Sequence, residues 1–381
     1  MSKQKKTVLF LFINGPHHVY HLILPALRFS ALKNEIETIF ISGNPLNTKI
    51  INDTKKITGL NNFTLIDIPL PLRYRIKDYK NRLYPPVYTR IKKIIKHLKN
   101  ANAIISTSHN FPEHLSNYGV KRPTLFYLYH GTGTRAYGFE SSLQEFDHIL
   151  IPGQYHKDRL IKSFPVKDGQ LEMVGVPKLD WMKIKKSKSQ RLFNNDNPIF
   201  YYNPHWKIEF SSYLKWKDII LKFFKQKKFY NLIFSPHPLI QHLSKRTGYE
   251  LNEKNIVEDN ILVDLESDQC LDGTYTSMAD VYIGDISSMV TEWVMQKPRP
   301  CIFINAHNVN WKGNDDYYMW RFGKVVNELK EFEDAVKKST HHNDFEKIQK
   351  KLKNEFIYSS DKSSSDLCAR FIETKLSTPS K

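Results

Sequence analysis

Cysteine is scarce in this sequence. The three cysteines, Cys270, Cys301 and Cys368, are far apart and form no CxxC pair. This spacing argues against a disulfide framework and against a structural zinc site. Unpaired, scattered cysteines are typical of a reducing compartment.

Long apolar runs are also absent. No stretch approaches the roughly 18 consecutive apolar residues that a membrane-spanning helix needs. The first residues, MSKQKKTVLFLFING, combine basic side chains with a short apolar run and lack the small-residue cleavage site of a signal peptide. We therefore expect a buried first strand there and a cytoplasmic protein.

Positive charge is in excess, because 57 Lys and Arg face 39 Asp and Glu, which gives a formal net charge of +18. Such a charge attracts nucleic acid, anionic lipid or an acidic substrate. The chain has no helix-turn-helix, zinc or RNP-like signature, so we expect no nucleic-acid partner. The basic stretches 73–80 with Arg82, 90–99 and 183–188 predict contact with an anionic membrane surface or polymer, although a solvated helix face is the alternative for each.

The order of apolar segments predicts an α/β fold. Short β-branched and aromatic runs alternate with longer amphipathic stretches such as 88–98 and 216–229, as in βαβ units with parallel sheets. The predicted strands are 7–13, 36–41, 103–106, 124–129, 148–151, 198–202, 231–234, 261–263, 281–283 and 300–304.

A basic, polar segment at 183–197 separates two such series and predicts a domain boundary. We expect an N-terminal domain at 1–185, a C-terminal domain at 198–350, and a helical segment at 351–381 that packs back across them. Ligands of open α/β sheets bind beyond the carboxyl ends of the strands, so we expect the functional residues in the loops that follow the strands.

His130 directly follows a predicted strand and precedes Gly131 and Thr132. Glycines at a strand end let backbone amides approach a ligand, and an imidazole there can accept a proton at neutral pH. The alternative is a glycine-rich turn whose histidine only packs.

His237 ends a second strand between two prolines, which fix the backbone around an imidazole that could donate to a phosphate oxygen. A capped turn with an exposed histidine is the alternative. Asp285, Ser287 and Ser288 follow a third strand and open a helix, where hydroxyls and free amides favour a phosphate. Ordinary helix capping uses the same residue types and stays open.

His17, His18 and His21 follow the first strand. His17 and His21 are spaced for one helical face and could suit a metal, but no third ligand is evident. A loop that contacts an acceptor, or a purely structural segment, are the other interpretations.

Taken in order, these segments resemble the CDP-glycerol glycerophosphotransferase family of teichoic-acid and capsule polymerases, over roughly residues 120 to 370. The similar elements are YHGT at 129–132, GVPKLD at 175–180, NPHWK at 203–207, His237-Pro238, ADVYIGDISS at 279–288, KPRPCIF at 297–303 and DKSSS at 361–365. The chain departs from the family's pattern at Gly133, Gly284, Ile286 and Glu292, where the family usually has proline, threonine, tyrosine and aspartate. The first 120 residues match no element of the family.

The resemblance implies a GT-B-like fold, in which two Rossmann-like domains with parallel sheets face a cleft. It implies an acceptor hydroxyl that attacks the β-phosphorus of CDP-glycerol or CDP-ribitol, with release of CMP. The implied catalytic residues are His130, as the base, and His237, which stabilises the pyrophosphate. The implied donor-binding residues are Ser287, Ser288, Asp285, Pro204 and Lys207, and the implied acceptor-binding residues are Gly131, Thr132, His17 and His18.

The implied site needs no cofactor and no metal, because histidines and a helix dipole neutralise the charge. The acceptor is expected to be an anionic glycan or a lipid-linked one, at the inner face of the membrane. Because the base must be neutral, activity should fall below about pH 6.5. A glycosyltransferase or sugar-nucleotide epimerase on the same fold, and a non-catalytic basic surface module, are the alternatives.

Overall fold

The computed structural model describes residues 5–32, 35–69, 72, 88–121, 123–133, 138–186, 191–237, 240, 256, 258–265, 267–287 and 289–377. The chain forms two compact units, of which the first comprises Met1–Thr132, Tyr137–Ile184 and Asn354–Lys381, and the second Gly133–Ala136 and Lys185–Lys353. The predicted basic stretch at 73–82 and the end of the stretch at 183–188 lie outside the described residues.

The first unit is built on a parallel sheet of seven described strands in the order β3-β2-β1-β4-β5-β6-β7. The strands are β1 (Lys6–Phe12), β2 (Ile36–Ser42), β3 (Thr64–Asp67), β4 (Ala103–Ser106), β5 (Thr124–Leu128), β6 (His148–Ile151) and β7 (Leu171–Met173). The helices are α1 (Pro16–Leu32), α2 (Pro45–Thr58), α3 (Tyr88–Asn100), α4 (Phe111–Asn117), α5 (Gln154–Ser163), α6 (Pro177–Lys186) and, at the end of the chain, α12 (Ser364–Ser377).

The second unit contains a parallel sheet of six described strands in the order β10-β9-β8-β11-β12-β13. The strands are β8 (Ile199–Asn203), β9 (Asn231–Phe234), β10 (Ile261–Val263), β11 (Val281–Gly284), β12 (Cys301–Ile304) and β13 (Lys324–Val326). The helices are α7 (Tyr213–Gln226), α8 (Thr274–Met278), α9 (Met289–Gln296), α10 (Leu329–Ser339) and α11 (Glu346–Phe356).

The central strands are buried on both faces. Residues 8–12 of β1 are all buried, and so is every residue of β4, β9 and β11. Helices cover both faces of a parallel sheet, so its strands appear in sequence as continuous apolar runs and not as alternating ones. No helix among the described residues is long and apolar enough to cross a membrane.

The predicted α/β class with two parallel sheets is confirmed. Strands β4, β6, β9 and β10 have the predicted bounds, and the other predicted strands are shifted by about one residue at one or both ends. No sequence pattern predicted β3, β7 or β13. Each is a short strand at the edge of its sheet with partly exposed residues, so no apolar run in the sequence indicates it.

Two family-like motifs of the sequence contact each other in the first unit. The carboxylate of Asp180, in α6, accepts hydrogen bonds from the backbone N–H and the hydroxyl of Ser365, both at 2.8 Å. Gly175 has a left-handed φ of 80°, and a Cβ atom there would overlap Ser364 Oγ and lie 2.8 Å from the carbonyl oxygen of Tyr358. The GVPKLD element at 175–180 and the DKSSS element at 361–365 therefore fix the start of α12, which packs against α1.

We predict that Gly175→Ala lowers the free energy of unfolding by about 2–4 kcal/mol, because it combines left-handed strain with overpacking against the start of α12. The matched control is Gly119→Ala, where φ is 58° and a Cβ atom would meet nothing within 4 Å. Its cost should be the strain alone, about 1–2 kcal/mol. Urea denaturation measures both, and equal losses would show that the contact with 358–364 contributes nothing.

Candidate functional site

Each sheet reverses its direction of strand addition beside its first strand. In the first unit β1 lies between β2 and β4, and in the second β8 lies between β9 and β11. At such a reversal the loops that follow the two neighbouring strands diverge, and ligands of α/β proteins bind there. Among the described strands, each unit therefore has one switch point.

In the first unit, the loop between β1 and α1 is held by two buried polar side chains. The amide nitrogen of Asn47 donates to the carbonyl oxygens of Phe12 at 2.7 Å and of Asn14 at 2.9 Å. The guanidinium of Arg90 donates to the carbonyl oxygen of Ile13, the residue between Phe12 and Asn14. Because three successive carbonyls are bonded, the start of α1 has a defined position.

His17 and His18 lie in the first turn of α1, which begins at Pro16. Of the interpretations of this segment, the loop is therefore wrong, because the helix starts before these residues. His17 is exposed whereas His21 is buried, so these two do not form one open metal-binding face. Among the described residues no three His, Cys, Asp or Glu side chains are grouped so that they could hold a metal ion.

His130 lies two residues after the end of β5 and is partly buried against α1. Its ring centroid lies 3.9 Å from that of His18, with 31° between the planes, and 6.4 Å from that of His17. Its Nδ1 atom is buried, and no described residue forms a hydrogen bond with it. The structure thus brings together three of the predicted residues.

Burial lowers the pKa of His130 from 6.5 to about 4, with a smaller contribution from His109. Burial also holds the pKa of His18 and of His21 well below the ordinary value. The expectation that His130 loses its neutral form below about pH 6.5 is therefore wrong. Because an imidazole is costly to charge away from water, the neutral form persists to a lower pH.

The two residues after His130 continue the predicted acceptor-side segment. Gly131 has a φ of 140°, which L-residues with a side chain rarely adopt, and Thr132 is buried. A glycine is therefore required directly after the histidine.

In the second unit, the carboxylate of Asp285 holds the loop after β8. Its Oδ1 accepts from the backbone N–H of His205 at 2.9 Å, and its Oδ2 accepts from the N–H and the hydroxyl of Ser212 at 2.7 and 2.9 Å. Burial raises the pKa of Asp285 to about 6, although these hydrogen bonds oppose the rise. Both carboxylate oxygens of Asp285 accept hydrogen bonds from the loop at 205–212. Its observed contacts are therefore those of a residue that shapes the site. Donor binding by Asp285 remains a prediction.

His205, which the sequence analysis did not select, lies among the predicted donor-side residues. Its Nδ1 accepts from the backbone N–H of Lys207 at 3.1 Å, so in the neutral ring the proton is on Nε2. Its ring centroid is 6.1 Å from that of His237, whose backbone N–H donates to the carbonyl oxygen of Pro204 at 3.1 Å. The position of His205 between Pro204 and Lys207, two residues after the buried strand β8, is the signal that could have identified this histidine.

Ser287 shows the contact expected of a helix cap. Its hydroxyl oxygen accepts from the backbone N–H of Met289 at 3.2 Å, at the start of α9. Ser288 lies outside the described residues. The side chain of Lys207 is exposed, with its Nζ 3.9 Å from Glu209 Oε1, a separation at which an exposed pair contributes little.

The segment 76–374 matches the model of the family CDP-glycerol:poly(glycerophosphate) glycerophosphotransferase. The chain belongs to this family. It is therefore a transferase of the CDP-glycerol glycerophosphotransferase type. The match begins about 45 residues earlier than the motifs of the sequence analysis indicated, within the part that had matched no family element.

Solved structures resemble this glycerophosphotransferase over nearly its whole length. The wall teichoic acid polymerase TagF is 14% identical, with a TM-score of 0.61 and coverage of 98% of this chain and 90% of TagF. UDP-GlcNAc 2-epimerase from Neisseria meningitidis is 10% identical, with a TM-score of 0.60 and coverage of 97% and 99%. MnaA of S. aureus, solved with UDP, is 11% identical, with a TM-score of 0.57 and coverage of 98% and 96%. These similarities confirm the GT-B-like fold class, and no curated protein matches the chain by sequence.

We predict that Asp285→Ala lowers the free energy of unfolding by about 3 kcal/mol or more, because it leaves two buried backbone donors without an acceptor. The matched control is Ser212→Ala, which removes only a hydroxyl from the same network and should cost about 1–2 kcal/mol. Chemical denaturation of both variants measures the difference. If the two variants lose equal stability, the carboxylate does not hold the 205–212 loop.

Proposed function

We propose that the chain transfers glycerol phosphate or ribitol phosphate from its CDP-activated form to a hydroxyl of a teichoic-acid- or capsule-type glycan, with release of CMP. The observation that carries the proposal is the family match over 76–374, which includes all the predicted site residues except His17 and His18. The two histidines near His130 are added by the packing of α1 in the first unit.

In the proposed reaction, the acceptor oxygen attacks the β-phosphorus of the CDP-polyol. A bond forms between that oxygen and phosphorus, and the bond from the same phosphorus to the bridging oxygen breaks, so CMP leaves with the electron pair. The hydroxyl proton passes to His130, which must be neutral when the acceptor binds. A pKa of about 4 leaves His130 neutral throughout the physiological range, which supports this role.

The second unit supplies the proposed donor side. His237, with Pro204 and Lys207 in the adjoining loop, would contact the pyrophosphate and stabilise the departing CMP. Ser287, whose hydroxyl caps the start of α9, and Ser288 would bind donor phosphate oxygens with their hydroxyls, together with the free amides of the first turn. Asp285 would act indirectly, by holding the 205–212 loop. Because imidazoles and a helix dipole supply these contacts, we propose that the reaction proceeds without a metal.

The net charge of +18 supports an anionic acceptor, such as a polymer that already carries phosphate groups or a lipid-linked glycan. The same charge supports association with the anionic inner surface of the cell membrane. The lysines of α3 at 92, 93, 96 and 99 are exposed and are part of the predicted basic stretch 90–99. Lys93 donates to the carbonyl oxygen of Pro69, and the other three are available for such a contact.

We predict that His130→Ala lowers kcat by about 10²–10⁴-fold while donor binding is retained, because a general base contributes on that scale. CMP release from CDP-glycerol and CDP-ribitol measures turnover, and thermal stabilisation by the donor measures binding. In the parent, kcat/KM should stay level through pH 6.5 and fall only towards pH 4, where His130 becomes protonated.

The control for this variant is His342→Ala, which changes an exposed histidine. Near-normal turnover by folded His130→Ala would remove His130 from the reaction. Release of a nucleoside diphosphate, or epimerisation of a UDP-sugar, would instead assign the chain to the nucleotide-sugar enzymes.

We predict that the double variant Ser287→Ala with Ser288→Ala binds the CDP-donor more weakly, with only a modest loss of melting temperature. Loss of a cap alone costs about 1 kcal/mol of stability and leaves the donor affinity unchanged. Titration of CDP-glycerol by calorimetry, beside thermal unfolding of the free protein, separates the two. His237→Ala should share the binding defect, and a double variant that melts early yet binds the donor as the parent does would identify the serines as caps.

A further inference from the structure

This inference rests on the proposed function, in which His130 is the base. A catalytic histidine is usually oriented by a hydrogen bond from its second ring nitrogen to a carboxylate or a carbonyl. In this chain the Nδ1 of His130 is buried, and no described residue forms a hydrogen bond with it. Hydrogen bonding at Nδ1 therefore does not set the orientation of this ring within the described structure, whereas close ring packing on it is observed.

The ring that packs most closely on His130 is that of His18, at a centroid distance of 3.9 Å and an interplanar angle of 31°. This His18 ring is itself fixed. Its Nδ1 lies 3.0 Å from the hydroxyl oxygen of Thr107, and that oxygen accepts a hydrogen bond from the side-chain amide of Asn14 at 3.1 Å. The hydroxyl can donate to His18 Nδ1 or accept from it, so this contact holds the His18 ring in either neutral tautomer.

The partners of His18 lie after two neighbouring strands of the first unit. Asn14 and Thr107 follow β1 and β4, the two strands that meet at the switch point. The carbonyl of Asn14 is held by the buried side chain of Asn47. His18 is therefore tied to both strands at the place where the acceptor side of the site is proposed.

We infer that His18 is a positioning residue for His130: its ring, held by Thr107 and Asn14, is the face that sets the orientation of the base. The titratable groups that face His130 are His17, His18 and His21 from α1 and His109 from the loop after β4. Burial keeps His18, His21 and His109 below their ordinary pKa, so these three neighbours add no positive charge beside the base at neutral pH.

The test compares His18→Ala with His18→Phe, because phenylalanine keeps a flat ring and loses both nitrogens. His18→Ala should lower kcat by about 10–100-fold with KM nearly unchanged, since a small misplacement of a base is costly. It should also raise the pKa of His130 towards 6.5, because water reaches the ring. His18→Phe should restore kcat to within a few-fold of the parent and keep the pKa of His130 low.

Two readouts are needed. CMP release from CDP-glycerol gives kcat and KM, and NMR titration of the protein labelled with 15N-histidine follows His130 without any substrate, its signal assigned by its loss in His130→Ala. His342→Ala serves as the control and should match the parent in both readouts.

An unchanged kcat and an unchanged His130 titration in His18→Ala would overturn the inference. It would also be overturned if His18→Phe were as impaired as His18→Ala, because the nitrogens and not the ring would then matter. Should His18→Ala fail to fold, His18→Ser takes its place, because serine also removes the ring and is well tolerated in the first turn of a helix. It should give a several-fold fall in kcat and the same direction of change in the titration, and no change in either would count against the inference. If the parent transfers no polyol phosphate while the titration of His130 shifts as expected, the positioning role stands and the proposed function fails.

Discussion

The reversal of strand order beside β1 and beside β8 is the constraint on which the candidate site depends. In a parallel sheet all carboxyl ends lie along one edge, and the loops separate only where neighbouring strands continue in opposite directions. In the first unit this brings Asn14, after β1, next to Thr107, after β4. In the second it brings His205, after β8, next to Asp285, after β11. Residues far apart in sequence thus become neighbours without any local signal.

Buried polar side chains beside these switch points are bonded chiefly to the backbone. Asn47 and Arg90 satisfy carbonyls of the β1–α1 loop, and Asp285 satisfies amides of the loop that contains His205. Unsatisfied backbone groups are costly when buried, so each such side chain fixes its loop in one arrangement. Polar residues that look like ligand contacts in the sequence can therefore act as supports, and the histidines that they position are left to contact substrate.

The sequence predicted what depends on local pattern. Continuous apolar runs gave β4, β6, β9 and β10 their bounds, and the glycine after His130 indicated a histidine at a strand end. Pairing across the sheet is not visible in a single sequence, so the stacking of His18 on His130 and the hydrogen bond of His205 with Asp285 could not be foreseen. Burial is likewise a tertiary property, which is why the ordinary histidine pKa gave the wrong pH range for His130.

The low pKa of His130 keeps the imidazole neutral in the free protein, but it also makes His130 a weaker acceptor for the proton of the hydroxyl. With a pKa of about 4, His130 stays neutral, yet a base works best when its pKa lies near the working pH. A negative charge close to an imidazole raises its pKa, and each unit corresponds to about 1.36 kcal/mol. In the proposed reaction, a phosphate-bearing acceptor brings that charge together with its hydroxyl. An uncharged acceptor would supply the hydroxyl alone and leave the base weak, so the burial of His130 itself favours an anionic polymer as the acceptor.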